Sequence, residues 1–290
     1  MPGLLLPVFT AYARPHLTHV AVNGTRLWVE DTGGDKPVLL FSHGLLWSTR
    51  MFDAQVVAFR DRFRCIAWDH RGQGQSDVPR VRCITIEDCY RDAVALIEQL
   101  DVSPVHFVGL SMGGFVAMRL AARRPDLLRS CILLETSADP EPVENVPRYR
   151  MLNRVARWLG LGVVAERVMP IMFGATFLND NARAAERASW KARLSANRRD
   201  IWRAVNGVIE REGVFDALTS ITVPTLIVVG DEDVATVPAK AERIHAAIRG
   251  STLVRIPGAG HSSSVEQPER VNAAMDAFLR AAVGNTSQSG

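Results

Sequence analysis

Lysine is nearly missing from this chain: Lys36, Lys191 and Lys240 are the three lysines among 34 Lys and Arg residues, and the arginines that make up the rest are scattered. Nothing gathers them into the basic stripe or helix that nucleic-acid binding needs, and 31 Asp and Glu leave a formal charge of only +3. Nucleic acid is therefore set aside as a partner. Four cysteines, Cys65, Cys83, Cys89 and Cys131, form no CxxC pair and adjoin no histidine cluster, which argues against zinc and dithiol chemistry. There is no HExxH and no GxxxxGK[ST] loop, and the glycines of DHRGQGQSD (69–77) have the spacing GxGxS, which is not the dinucleotide fingerprint. No metal and no cofactor is expected. The apolar stretch at 3–10, GLLLPVFT, has no cationic leader, contains Pro7, and falls far short of the roughly 20 residues that a membrane-spanning helix requires. The expectation is a soluble, cytoplasmic protein with no membrane partner.

What is present is a chain of 290 residues, 47% hydrophobic and 22% charged, long enough for a sizeable core. Short β-branched or apolar runs at 17–22, 25–31 and 37–43 open it, punctuated by Gly24, Gly33 and Gly34. Strand and helix patterns then take turns: strands at 63–69, 104–110 and 131–135, helices at 84–100 and 112–123. Continuous apolar strands alternating with helices predict a mostly parallel sheet covered on both faces, because each crossover lays a helix against the sheet. From 139 to 218 the alternation stops, and four helical segments are read at 149–159, 163–172, 182–196 and 200–211. It resumes with strands at 224–230 and 252–258 and helices at 239–248 and 268–282. The expected organisation is an α/β core at 1–138 and 219–283, an all-helical cap at 139–218, and a polar, frayed tail at 284–290.

The stretch VHFVGLSMGGFVAMRLAARRP runs an apolar strand into Gly109-Leu110-Ser111-Met112-Gly113 and then directly into a helix. This is the setting of a nucleophile elbow, whose sharp turn lifts a serine hydroxyl above the carboxyl end of a sheet. Serine needs a base, itself oriented by a carboxylate. Of the seven histidines, His106 falls in a strand and His245 in a helix, whereas His261 sits in the glycine-flanked loop PGAGHSSS after the last strand. For the acid, the loop GDEDVATVP offers Asp233, three residues past Gly230; Asp231 is expected to bond turn amides, and Glu135 at the end of a strand is the alternative acid. The order Ser111, Asp233, His261 suits this architecture. The backbone N–H groups of Leu45, in FSHGLLWS, and of Met112 are the candidate oxyanion donors. His43 and Gly44 read as loop-shaping, as does a pairing of Asp69 with Arg71. Trp47, Trp158, Met172, Phe173 and Trp190 are expected to line a substrate pocket.

Taken together, FSHG, DHRGQGQSD, GLSMGG, GDEDVATVP, and GAGH followed by EQPERV resemble the α/β-hydrolase superfamily over about residues 17–282. The resemblance implies an eight-stranded, mostly parallel sheet with the helical cap inserted after its sixth strand. Position 111 is Ser where haloalkane dehalogenases and epoxide hydrolases carry Asp, and HGLLWS stands where carbon–carbon bond hydrolases usually show HGxGPG. The remaining resemblance is to serine esterases and enol-lactonase-like enzymes. It implies hydrolysis of a small-molecule carboxylic ester or lactone, with a cofactor-free perhydrolase or a weakly catalytic, hydrolase-like ligand receptor as alternatives.

Overall fold

The computed structural model describes residues 16–286; the apolar run at 3–10 and the last four residues of the expected tail lie outside them. Eight described strands form one sheet: β1 His16–Val22, β2 Thr25–Asp31, β3 Val38–Ser42, β4 Arg64–Trp68, β5 Val105–Leu110, β6 Leu128–Leu134, β7 Thr225–Gly230 and β8 Thr252–Ile256. Their order across the sheet is β1-β2-β4-β3-β5-β6-β7-β8. The β1–β2 and β2–β4 pairs are antiparallel and the others parallel. The β1–β2 hairpin closes through Asn23 and Gly24 at φ +43° and +73°, the left-handed pair that a two-residue hairpin turn demands. Every residue of β3, β5 and β7 is buried, as continuous apolar strands with helices on both faces must be.

The helices divide between those faces. On one, α1 (Asp53–Phe59) meets α11 (Pro268–Thr286); on the other, α2 (Ile86–Gln99) meets α3 (Met112–Arg123), while α9 (Pro238–Ala247) covers β7 and β8. Between β6 and β7 no strand occurs. That segment holds α4 (Val146–Leu159), α5 (Ala165–Met172), α6 (Ala175–Asn179), α7 (Ala184–Ser195) and α8 (Trp202–Ile209), one short helix more than the four expected. Asn153 on α4 ties it to α8, its amide donating to Trp202 O (3.1 Å) and Asn206 Oδ1 (2.8 Å). After β8 come the short α10 (Ser263–Glu266) and then α11, which continues to Thr286 and so takes in residues 284–286, expected as tail. No described helix is long and apolar enough to cross a membrane. The parallel strands β5, β7 and β8 all point their carboxyl ends the same way, so the loops that follow them share one rim of the sheet.

Candidate active site

Strand β5 ends at Leu110 and α3 begins at Met112, leaving one residue to make the turn. That residue, Ser111, sits at φ +51°, a left-handed conformation that costs a non-glycine residue about 1–3 kcal/mol. Its surroundings hold it there: its N–H donates to Leu134 O (2.9 Å), and its carbonyl accepts from Phe115 N (3.0 Å) and Thr136 Oγ1 (2.9 Å). Glycine is required on both sides of the elbow. A Cβ on Gly109 would lie 2.3 Å from Gly113 O, and one on Gly113 would lie 2.0 Å from Ser42 O, so a methyl group at either would push the helix off the strands.

The loops after β7 and β8 bring two more side chains to this hydroxyl. His261 Nε2 lies 2.8 Å from Ser111 Oγ, and His261 Nδ1 lies 2.9 Å from Asp233 Oδ2. Asp233 is oriented in turn: Oδ2 accepts from Thr236 Oγ1 (2.8 Å), and Oδ1 accepts from the N–H groups of Ala235 (2.8 Å) and Thr236 (2.9 Å). Burial alone would raise the Asp233 pKa, but the His261 ring and the Thr236 hydrogen bonds outweigh it and hold the carboxyl below its ordinary value. An ionised Asp233 can only accept, so Nδ1 carries the proton and Nε2 presents its lone pair to Ser111.

The turn amides are therefore bonded by Asp233, not by Asp231 as expected; Asp231 instead pairs with Arg255 (2.6 Å) on the surface. Glu135, the alternative acid, is fully buried at φ +41°, and the carboxylate that meets His261 Nδ1 is that of Asp233. Burial drives the Glu135 pKa far up, and the neighbouring Asp233 charge adds to the effect. His106 is buried against Ser130 (2.8 Å) and His245 bonds Ser251 (2.8 Å), both away from Ser111.

Residues Gly44–Trp47 form a β-turn, with Trp47 N–H donating to Gly44 O (3.3 Å) and Leu46 at φ +71°. The positive φ at the third position is the type II signature. In this turn the Leu46 N–H is taken by Gln73 Oε1 (2.9 Å), which leaves the Leu45 N–H at the second position. The Met112 N–H opens α3, where the first amides of a helix have no intrahelical acceptor. Thus three of the five described non-glycine residues with positive φ, namely Leu46, Ser111 and Glu135, gather at this site, the pattern expected where strain serves a function. His43 shapes the loop: its Nδ1 donates to Gly44 O (2.7 Å) while Nε2 accepts from His70 N (3.0 Å). The expected Asp69–Arg71 pair does not form. Asp69 instead accepts from Thr49 N (2.8 Å) and Gln75 N (2.7 Å), and Arg71 turns away to Asp92.

Glu266 was not singled out from the sequence. Its carboxylate accepts from Gly260 N (3.0 Å) and Ser262 N (3.0 Å), one on each side of His261, and from Gly174 N (2.8 Å) in the cap. The two glycines touch so closely that a Cβ on Gly260 would lie 2.2 Å from Gly174 N. One buried side chain thus clamps the histidine loop to the cap. The available signal was a glutamate five residues beyond His261, directly after Ser262-Ser263-Ser264-Val265.

A cavity of about 130 Å³ lies between the elbow and the cap, with Ser111 and His261 in its wall. Of the five residues expected to line it, Met172 does. Trp158 does not: it is 65% exposed. Trp47 packs edge-on against Phe173 (5.7 Å) and Trp190 (5.3 Å), and these three bury one another in an aromatic cluster beside the cavity. The wall is built instead from α4 (Tyr149, Leu152, Ala156), α5 (Val168, Ile171) and α8 (Val205, Val208).

Comparison with known proteins agrees with this architecture. A model of the alpha/beta hydrolase fold matches residues 37–268. The chain is 28% identical to 3-oxoadipate enol-lactonase 2 of Acinetobacter baylyi over 246 residues, 85% of this chain and 90% of that one. Among solved structures, the enol-lactonase from Burkholderia xenovorans superposes with a TM-score of 0.84 at 27% identity, over 91% of this chain and all of that one. A thermophilic esterase from Thermogutta terrifontis superposes with a TM-score of 0.82 at 33% identity, over 93% of this chain and 99% of that one. The family match spans well over half of the chain, and with it the elbow and both loops that meet there: this protein belongs to the alpha/beta hydrolase fold family.

Proposed function

We propose that the protein is a serine hydrolase that cleaves carboxylic esters or lactones through an acyl-enzyme on Ser111. The observation that carries this reading is the bridge made by His261, 2.8 Å from Ser111 Oγ on one side and 2.9 Å from Asp233 on the other, in the wall of an apolar cavity. In the proposed reaction His261 Nε2 takes the hydroxyl proton as Ser111 Oγ attacks the acyl carbon. Asp233 stabilises the imidazolium and fixes its tautomer. The negative charge that develops on the carbonyl oxygen is met by the N–H groups of Leu45 and Met112, each such donor lowering the barrier by about 3–4 kcal/mol. His261 returns its proton to the leaving oxygen, which departs as the alcohol, or stays tethered in a lactone. Water, deprotonated by the same imidazole, then releases the acid and restores Ser111.

The names of the relatives, lactonases and an esterase, support the same bond class. A panel of short and medium acyl esters beside γ- and δ-lactones tests the reading. Turnover is expected to fall by about 10⁴-fold or more in Ser111→Ala, and a variant that keeps its turnover would overturn it. Peracid formation from ester and peroxide would place the acyl-enzyme in perhydrolase service. A stoichiometric acyl-enzyme without multiple turnover would favour a receptor.

A further inference from the structure

We infer that the acyl pocket admits uncharged acyl groups and rejects carboxylate-bearing ones, and that the Arg211–Glu141 pair in its wall sets this selectivity; the inference rests on the serine-hydrolase reading. Arg211 is the one Arg or Lys among the described residues lining the cavity, and its guanidinium lies 4.4 Å from the ring of Phe115, which also lines it. Left alone, such a cation would recruit an anionic substrate tail. It is not left alone. Nη1 donates to Glu141 Oε2 (2.7 Å) and Val208 O (2.9 Å), and Nε donates to Asp139 O (3.2 Å). Both members of the pair are buried, their side chains 4% and 9% exposed. Glu141 is itself held by Asn145 Nδ2 (3.0 Å), so the pair is a built element of the wall with no net charge.

The other polar groups there do not change this balance. The Asn153 donor is engaged by α8, and the amide oxygen that remains is a buried acceptor without a partner. Tyr149 is held as the neutral phenol by burial, with the negative Glu141 adding to the effect. A carboxylate entering this space would lose its hydration and find a neutralised pair and an acceptor in exchange, which is unfavourable. An alkyl or small aromatic acyl group loses no comparable hydration. The volume suits this: about 130 Å³ is close to the ~150 Å³ of an apolar cavity that holds benzene.

The test compares p-nitrophenyl hexanoate with mono-p-nitrophenyl adipate, which adds one terminal carboxylate. Wild-type enzyme is expected to favour the hexanoate by about 100-fold in kcat/KM, mostly through KM. Glu141→Gln leaves the Arg211 charge uncompensated and is expected to narrow that ratio by about tenfold or more, again through KM. Adding Arg211→Met to it makes the wall neutral once more and restores the preference, an outcome that a purely structural role for the pair would not produce. If Glu141→Gln does not fold, the wild-type ratio decides. Ser111-dependent turnover of both esters at similar kcat/KM, or a folded Glu141→Gln with an unchanged ratio, overturns the inference while leaving the hydrolase reading intact. Turnover that survives Ser111→Ala defeats the hydrolase reading itself.

Discussion

The sheet core and the helical segment between β6 and β7 contribute to one cavity by different physical means. In the core, Ser111, Asp233 and His261 follow the carboxyl ends of three parallel strands and are 8%, 2% and 4% exposed. Each is held by backbone hydrogen bonds, left-handed turns or glycine contacts that leave almost no alternative position. The helical segment is looser at its surface, with Met151, Trp158, Leu159 and Val163 all more than half exposed. It contributes apolar wall and one neutralised charge. On the proposed reading this difference is a division of labour: the core would carry the reaction chemistry, and the helical segment would decide what reaches it.

Substitutions of graded severity sharpen that division. The largest effect is expected in the core: Asp233→Asn should preserve the fold but let Nδ1 lose its acceptor, and kcat for a simple ester should drop by about 10⁴-fold. A drop of less than tenfold would mean that another group, with Glu135 the first candidate, orients the histidine.

The next effect falls at the junction of the two regions. Burial pushes Glu266 up to about 7, against an ordinary 4.5, although three backbone N–H groups pull it down. Between these values the folded chain keeps a proton that the unfolded chain has released, so stability falls as pH rises through the window. The slope contributes at most ~3–4 kcal/mol, at about 1.4 kcal/mol per unit. In Glu266→Gln this contribution is absent, so denaturant unfolding from pH 4.5 to 7 should show wild-type stability falling relative to the variant's as pH rises, while the buried His43, His70 and His106, whose pKa values are lowered, act alike in both chains. An unchanged slope would remove Glu266 from this role.

The smallest effect belongs to the outer face of the cap. Trp158→Ala should change stability by no more than about 0.5 kcal/mol and leave kcat/KM for short esters as it was. A clear loss of activity would mean that this tryptophan reaches the substrate after all.

The same contrast explains what could be read in advance. The strands were legible because a buried parallel strand is a continuous apolar run, and the elbow because a strand meets a helix across Gly109 and Gly113. The rim loops followed from the strand ends. The pocket was not legible from residue type, since an aromatic side chain in the cap can face either way. A finer reading of α4 held the signal: Tyr149, Leu152, Asn153 and Ala156 recur at helical spacing on one face, and Trp158, two residues beyond Ala156, points to the opposite side. The Asp69–Arg71 pairing fails because closeness in sequence does not fix closeness in space, and Arg71 bonds Asp92 instead. Glu266 to Gly174 and Arg211 to Glu141 are contacts across 92 and 70 positions. No local pattern encodes them.

Whether His261 makes the Ser111 hydroxyl nucleophilic is read out by intact-protein mass spectrometry after exposure to an alkyl p-nitrophenyl phosphonate. One adduct per chain is expected, located by peptide mapping at Ser111, formed far more slowly in His261→Ala and absent from Ser111→Ala. Stoichiometric labelling at another residue, or labelling at Ser111 at an undiminished rate without His261, would contradict it.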